Sequence, residues 1–156
     1  MSKTLSFSLF SHYKLQRRKT NEKQYGGYSM INVNKISSKK IVTKILFVCS
    51  ANIDRSPTAE KIYSGRCDLE VKSAGVSDCA MTPISLELIK WADIILCMEK
   101  KHKQKIKKSF SDIAKNKIID FLDIPDIYEY MNINLIDEIR EKTDAWLHNY
   151  HLKYPR

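Results

Sequence analysis

The chain has 156 residues, 43% of them hydrophobic, which is enough material for one core and one domain. Its formal net charge of +9 invites a nucleic-acid reading, but residues 1–44 carry ten Lys or Arg against one acid, while residues 45–156 carry seventeen of each sign and are neutral. That distribution argues against a nucleic-acid partner for the domain, and four cysteines without a Cys-x2-Cys pair exclude a small disulfide framework and imply a reducing, cytoplasmic compartment.

Residues 1–42 read as a basic N-terminal extension, rich in Ser, Lys and Asn and interrupted by Gly26 and Gly27. Its only apolar stretch, Leu5 to Phe10, is broken by Ser6 and Ser8, so neither a signal-peptide core nor a membrane span is present. The composition predicts a disordered extension, with Met30 nearer the true start. An organelle-targeting segment and a basic arm for nucleic acid or anionic lipid are the alternatives that so few acids allow. The predicted domain spans residues 43–152.

Ile45, Leu46, Phe47, Val48 and Cys49 form a continuous apolar run that predicts a short strand buried on both faces. Ser56, a favoured N-cap, and Pro57, pre-set for a first helical position, then predict a helix running through Thr58 to Arg66. Between strand and helix lie Ser50, Ala51, Asn52, Ile53, Asp54 and Arg55. Their backbone N–H groups can curl into a nest facing the positive end of the helix, a combination that holds phosphate. A thiol at the base of such a cradle is favoured as thiolate, which makes Cys49 the candidate nucleophile. Arg55 supplies a bidentate grip on phosphate oxygens, and the Ser56 hydroxyl is placed to hydrogen-bond the thiolate. Cys-x5-Arg is a common spacing by chance; the strand ending at the Cys and the helix starting after the Arg give it meaning.

Further along, Leu69 to Ser73 predicts a second strand ended by Gly75, and Ile84, Leu88 and Trp91 recur at helical spacing. Ile94 to Met98 predicts a third strand. The charged run Glu99 to Lys108 predicts a solvated helix, with a partner surface as the alternative. Lys117 to Leu122 predicts a fourth strand. Leu135, Ile136, Ile139, Thr143, Trp146 and Leu147 then predict an amphipathic helix over residues 132–151. His148 and His151 lack nearby Cys partners and read as a solvated face, so no metal site is predicted. Strands alternating with helices predict an α/β fold, a four-stranded parallel sheet flanked by helices, with the site beyond the carboxyl ends of the strands.

The run Phe-Val-Cys-Ser-Ala-Asn-Ile-Asp-Arg-Ser-Pro-Thr-Ala-Glu, residues 47–60, resembles the signature loop of the low-molecular-weight protein tyrosine phosphatases, most closely a short bacterial branch. The resemblance continues through Ser73-Ala74-Gly75, through Trp91-Ala92-Asp93 to Lys105, and through Leu122 to Met131, and spans residues 43–147. It implies the phosphatase-like fold and a phosphomonoester hydrolase with a cysteinyl-phosphate intermediate, acting without metal or other cofactor on a phosphotyrosine protein or a small phosphomonoester. It also implies a supporting role for Asn52 and a general acid in an Asp-Pro loop. Pro125-Asp126-Ile127-Tyr128 fits that loop with Asp126 as the acid, Asp123 as the rival carboxylate, and Tyr128 as a possible substrate wall.

Three departures from the family pattern carry expectations. Ala51 stands where the larger family has Gly, so a positive φ there would be strained. Asp54 stands where many relatives have a second Cys, which brings a negative charge towards an anion site unless the side chain turns outward. The short segment between Gly75 and Ile84 predicts a reduced substrate wall. An arsenate reductase of the same fold is an alternative, but it needs late resolving cysteines and nothing after Cys97 is Cys. A phosphate-binding module with little turnover is the other alternative.

Overall fold

The computed structural model describes residues 42–155, so the extension predicted over residues 1–42 lies outside them but for Val42. The apolar run beginning at Ile45 becomes the strand β1, Thr43–Cys49, with Ile45 to Val48 fully buried. A strand with no exposed face must be sandwiched, and alternation sends its side chains to two separate cores. Ile45, Phe47 and Cys49 face one cluster, while Leu46 and Val48 face the other.

The remaining elements follow in the order α1 Arg55–Tyr63, β2 Leu69–Gly75, α2 Leu86–Trp91, β3 Ile94–Cys97, α3 Lys100–Ser109, α4 Ser111–Ala114, β4 Ile118–Phe121 and α5 Ile133–Lys153. The sheet order is β2-β1-β3-β4, with every pairing parallel. The first cluster packs Ala59 and Tyr63 of α1 and Leu135, Ile139 and Leu147 of α5 onto β1 and β3. The second packs Ile89 of α2, Ile106 of α3 and Ala114 of α4 onto the other face. Each large side chain so buried contributes about 1.5–3 kcal/mol. No helix among the described residues is long and apolar enough to cross a membrane.

Several boundaries differ from the sequence expectation, each for a local reason. The first helix begins at Arg55, with Asp54 and not Ser56 at its N-cap, because the Ser56 hydroxyl is engaged inside the site. It ends at Tyr63, where Ser64 and the following Gly65 close it, short of the predicted Arg66. The second strand runs on to Gly75, which pairs with Cys49. A Cβ at Gly75 would stand 2.6 Å from the Ser50 carbonyl oxygen and 2.6 Å from Ala80 Cβ, so only glycine fits beside the loop that leaves β1. The four-residue α4 had no sequence signal, being too short to show a period.

Candidate active site

The six-residue loop after β1 folds back over the carboxyl end of the strand that it leaves. At its base Cys49 is 3% exposed, and its Sγ accepts from the Asn52 amide at 3.2 Å and lies 3.0 Å from Ser56 Oγ. Asn52 makes the tight curl, with φ of 56°, a left-handed conformation that Asn tolerates better than most residues. Ala51 is not among the positive-φ residues, so the expected strain does not arise there. The Asn52 side chain donates to Ser56 Oγ at 3.0 Å and to Ser73 Oγ at 2.9 Å, and Ser73 in turn donates to Glu60 at 2.5 Å. Ser56 Oγ also reaches the Ala74 carbonyl at 3.3 Å. With one hydroxyl proton and two acceptors to choose from, Ser56 can donate to Ala74 beside a thiol and swing to Sγ beside a thiolate.

The backbone amides from Ile53 to Ser56, at the N-terminus of α1, have no acceptor among the described residues. Four donors and a helix end aimed at one space make an anion cradle above Cys49. The loop's own carbonyls are tied down on the opposite side: Val76, Ser77 and Met81 donate to Cys49, Ser50 and Ala51 at 2.9, 3.0 and 3.0 Å. The short segment after Gly75 thus acts as a strap beneath the cradle.

Arg55 is 1% exposed and held at several points. Its Nη1 donates to Glu99 Oε2 at 2.7 Å and to the Ile124 carbonyl at 2.9 Å, and its Nη2 pairs with Asp126 Oδ2 at 2.8 Å. Asp126 thus meets the cradle's guanidinium while remaining largely exposed at the cleft mouth. Asp123, the rival carboxylate, has φ of 56°, and its carbonyl accepts from Lys142 of α5.

No family model matches the sequence, and no curated protein matches it. Solved structures do. A low-molecular-weight protein tyrosine phosphatase from Streptococcus pyogenes superposes with a TM-score of 0.57 at 20% identity, over 74% of this chain and all 100% of that one. A low-molecular-weight protein tyrosine phosphatase from T. tengcongensis gives 0.55 at 22% identity, over 69% of this chain and 99% of the other. The YwlE arginine phosphatase from Geobacillus stearothermophilus gives 0.53 at 22% identity, over 73% and 98%. The fold is that of the low-molecular-weight protein tyrosine phosphatases.

Within this phosphatase fold, the strap lies under the cradle and the loop around Asp126 meets it at Arg55. Asp54 does not point into the cradle: its Oδ1 accepts the Tyr130 amide at 2.9 Å, so its charge is directed towards the Asp126 loop. Tyr128 is half-buried against the first core cluster, and its hydroxyl faces Glu138, a hydrogen bond that pushes the phenol up. The exposed apolar side chains near the site are instead Ile53, Met81, Ile127 and Tyr130.

Two residues of the cleft were not singled out from sequence. Glu99 caps α3, and its backbone and side chain form a reciprocal capping box with His102. Partial burial pushes the Glu99 carboxyl up, but Arg55 and Lys101 outweigh it and hold it below the usual range. His102 is buried; its Nδ1 accepts the Glu99 amide at 3.2 Å, which leaves the proton on Nε2 to meet Ser50 Oγ at 2.9 Å. Burial first, and the Arg55 charge second, push His102 down from 6.5 to about 4, so it is neutral at physiological pH. Their sequence signal was a capping pair placed directly after the carboxyl end of a buried strand. The predicted solvated face of this helix is therefore carried by Lys100, Lys101, Lys105, Lys107 and Lys108, while His102 and Ile106 are buried; Glu99 and His102 clamp Arg55 and Ser50, at the two ends of the loop after β1.

Proposed function

We propose that the protein is a cysteine-dependent phosphomonoester hydrolase acting on phosphotyrosine. The observation that carries this reading is the convergence of Cys49 Sγ, free helix-N-terminal amides, Arg55 and Asp126 on one cleft. In the first step the Cys49 thiolate attacks phosphorus in line. The S–P bond forms as the ester P–O bond breaks, and protonated Asp126 gives its proton to the departing oxygen. In the second step water attacks the cysteinyl-phosphate and gives a proton to the Asp126 carboxylate; the S–P bond breaks and the Ser56 hydroxyl donates to the restored thiolate. The loop amides and Arg55 stabilise the charge on the equatorial oxygens throughout, so the chemistry is met by protein groups alone.

An aryl leaving group is favoured over a charged one because Ile53, Ile127 and Tyr130 give the cleft mouth exposed apolar surface. Thiol-linked arsenate reduction is the weaker reading: Cys97 lies in the cluster on the opposite sheet face from Cys49, and burial pushes its thiol up to about 12. A reducing compartment suits a thiol nucleophile, and the cytoplasm is the location we propose. The test is hydrolysis of p-nitrophenyl phosphate and of a phosphotyrosine peptide across pH. Cys49→Ser should abolish both, and Asp126→Asn should lower kcat by about 100-fold. Hydrolysis unchanged in Cys49→Ser would overturn the proposal, and tight phosphate binding without turnover in the unaltered protein would leave a binding module.

A further inference from the structure

We propose that Asp54 is a positioning residue that holds the general-acid loop against the phosphate cradle, an inference that rests on the reading of Asp126 above. The loop bearing Asp126 is fixed at two ends. At its near end Ile124 is fully buried, its amide donates to Met98 O at 2.7 Å and its carbonyl accepts from Arg55 at 2.9 Å. At its far end the Tyr130 amide donates to Asp54 Oδ1 at 2.9 Å, and the Met131 amide donates to Thr58 Oγ1 at 3.0 Å. Asp54 is itself immobilised, because its carbonyl accepts from both the Thr58 amide at 3.0 Å and the Thr58 hydroxyl at 2.7 Å. Asp54 caps α1 without a side-chain cap bond, which leaves its carboxylate for the loop.

Between these ends Pro125, Asp126, Ile127 and Glu129 are exposed, and among the described residues the Asp126 carboxylate is tied down by its ion pair with Arg55. A phosphoryl group entering the cradle takes the Arg55 donors, and that tie is lost when chemistry begins. What then fixes Asp126 over the leaving oxygen is the pair of end anchors, together with Tyr128, which is half-buried against the first core cluster between them. The near anchor is buried backbone. The far one depends on side chains of the cradle helix, and Asp54 is the charged member. A carboxylate acceptor makes the stronger hydrogen bond to an amide, so cradle and acid loop are held as one body.

A misplaced general acid has a kinetic signature that a loosened fold lacks. Good leaving groups depart without protonation, whereas poor ones need it. The experiment compares phenyl phosphate with 2,4-dinitrophenyl phosphate in the full chain. Asp54→Ala should lower kcat on phenyl phosphate by about 10-fold and on the dinitrophenyl ester by less than about 2-fold. Asp54→Ser, which keeps an N-cap residue but falls short of the Tyr130 amide, serves as the second variant should the alanine variant fold poorly, and should behave alike. Asp54→Asn retains the Oδ1 acceptor and should restore most of the phenyl phosphate rate. In an Asp126→Asn background the selective loss should vanish, since no acid remains to be placed. Equal losses on the two esters, or a selective loss that persists without Asp126, would overturn the proposal. Failure of the phosphatase reading is distinct, because it appears as hydrolysis that does not depend on Cys49.

Discussion

Arg55 is where the local physics is most demanding, because a guanidinium with 1% exposure must be paired to be tolerated at all. Two carboxylates and a carbonyl meet it, and they divide the work. Asp126 is exposed and pairs from the loop beyond β4, whereas Glu99 is more enclosed and pairs from the side of α3. Glu99→Gln keeps a hydrogen-bond acceptor but leaves part of the Arg55 charge uncompensated. The expected outcome is a kcat/KM for p-nitrophenyl phosphate lowered about 10–100-fold, equivalent to roughly 1.5–3 kcal/mol, the range of a charge-assisted hydrogen bond. An unchanged kcat/KM would show that Arg55 is positioned without Glu99. The same pairing explains why Glu99 was passed over in the sequence: a Glu at the head of a lysine-rich run looks solvated until its helix is docked beside Arg55.

At the level of the element, the loop after β1 is shaped as much by what lies under it as by its own sequence. Gly75 ends β2 in register with Cys49, its amide donates to Thr82 and its carbonyl accepts from Ile84, so the strand and the strap meet at this point. Gly75→Ala drives a methyl group into the Ser50 carbonyl, which is loop backbone and cannot swing aside. We expect a loss of about 1–3 kcal/mol in stability by urea unfolding, typical of overpacking, together with a drop in turnover. Wild-type stability in this variant would mean that the loop shifts freely over the strand end. The elements themselves were largely legible. The strands β1 and β3 announced themselves as apolar runs, and α5 as a three- and four-residue period. Ser56 was read both as a helix cap and as a partner of the Cys49 sulfur; its hydroxyl does lie 3.0 Å from Cys49 Sγ, and the cap falls instead to Asp54, because a side chain turned towards the sulfur is not free to cap the helix.

For the whole molecule, the site's buried network sets a dependence of stability on pH. His102 is held neutral, pushed down from 6.5 to about 4 by burial first, with Arg55 and Lys101 also opposing its charge and Glu99 and Asp126 favouring it. A depressed folded-state value means that the unfolded chain binds the extra proton. The contribution is therefore whole above pH 6.5 and is lost as pH falls towards 4, by up to roughly 3 kcal/mol at ~1.4 kcal/mol per unit. Glu99 and Asp120, both held below the usual carboxylate range, lose their contributions on the same acid side. For Asp120, burial raises the carboxyl, and hydrogen bonds from Trp146 at 2.8 Å and Lys103 at 2.9 Å outweigh it. Melting temperatures measured from pH 7.5 to 4.5 should fall steadily, and His102→Asn should flatten the segment between pH 6.5 and 5. A parallel fall in the variant would remove His102 as the cause.

The sequence by itself determined the α/β alternation, the parallel sheet and the pairing of Cys49 with Arg55 across one loop, because periodicity, apolar runs and helix starts are local properties of the chain. Tertiary structure alone decided which carboxylate meets Arg55, since Asp126 and Asp123 lie three residues apart and only the path of the chain beyond β4 turns one towards the cradle. It also decided that Asp54 faces the Tyr130 amide, that Asn52 rather than Ala51 takes the strained backbone, and that Glu99 and His102 belong to the site. The Arg55–Glu99, Ser50–His102 and Asp54–Tyr130 contacts span 44, 52 and 76 positions. No local pattern encodes such distances; they arise when parallel strands bring their carboxyl ends to one edge and every loop there must find partners for its polar groups.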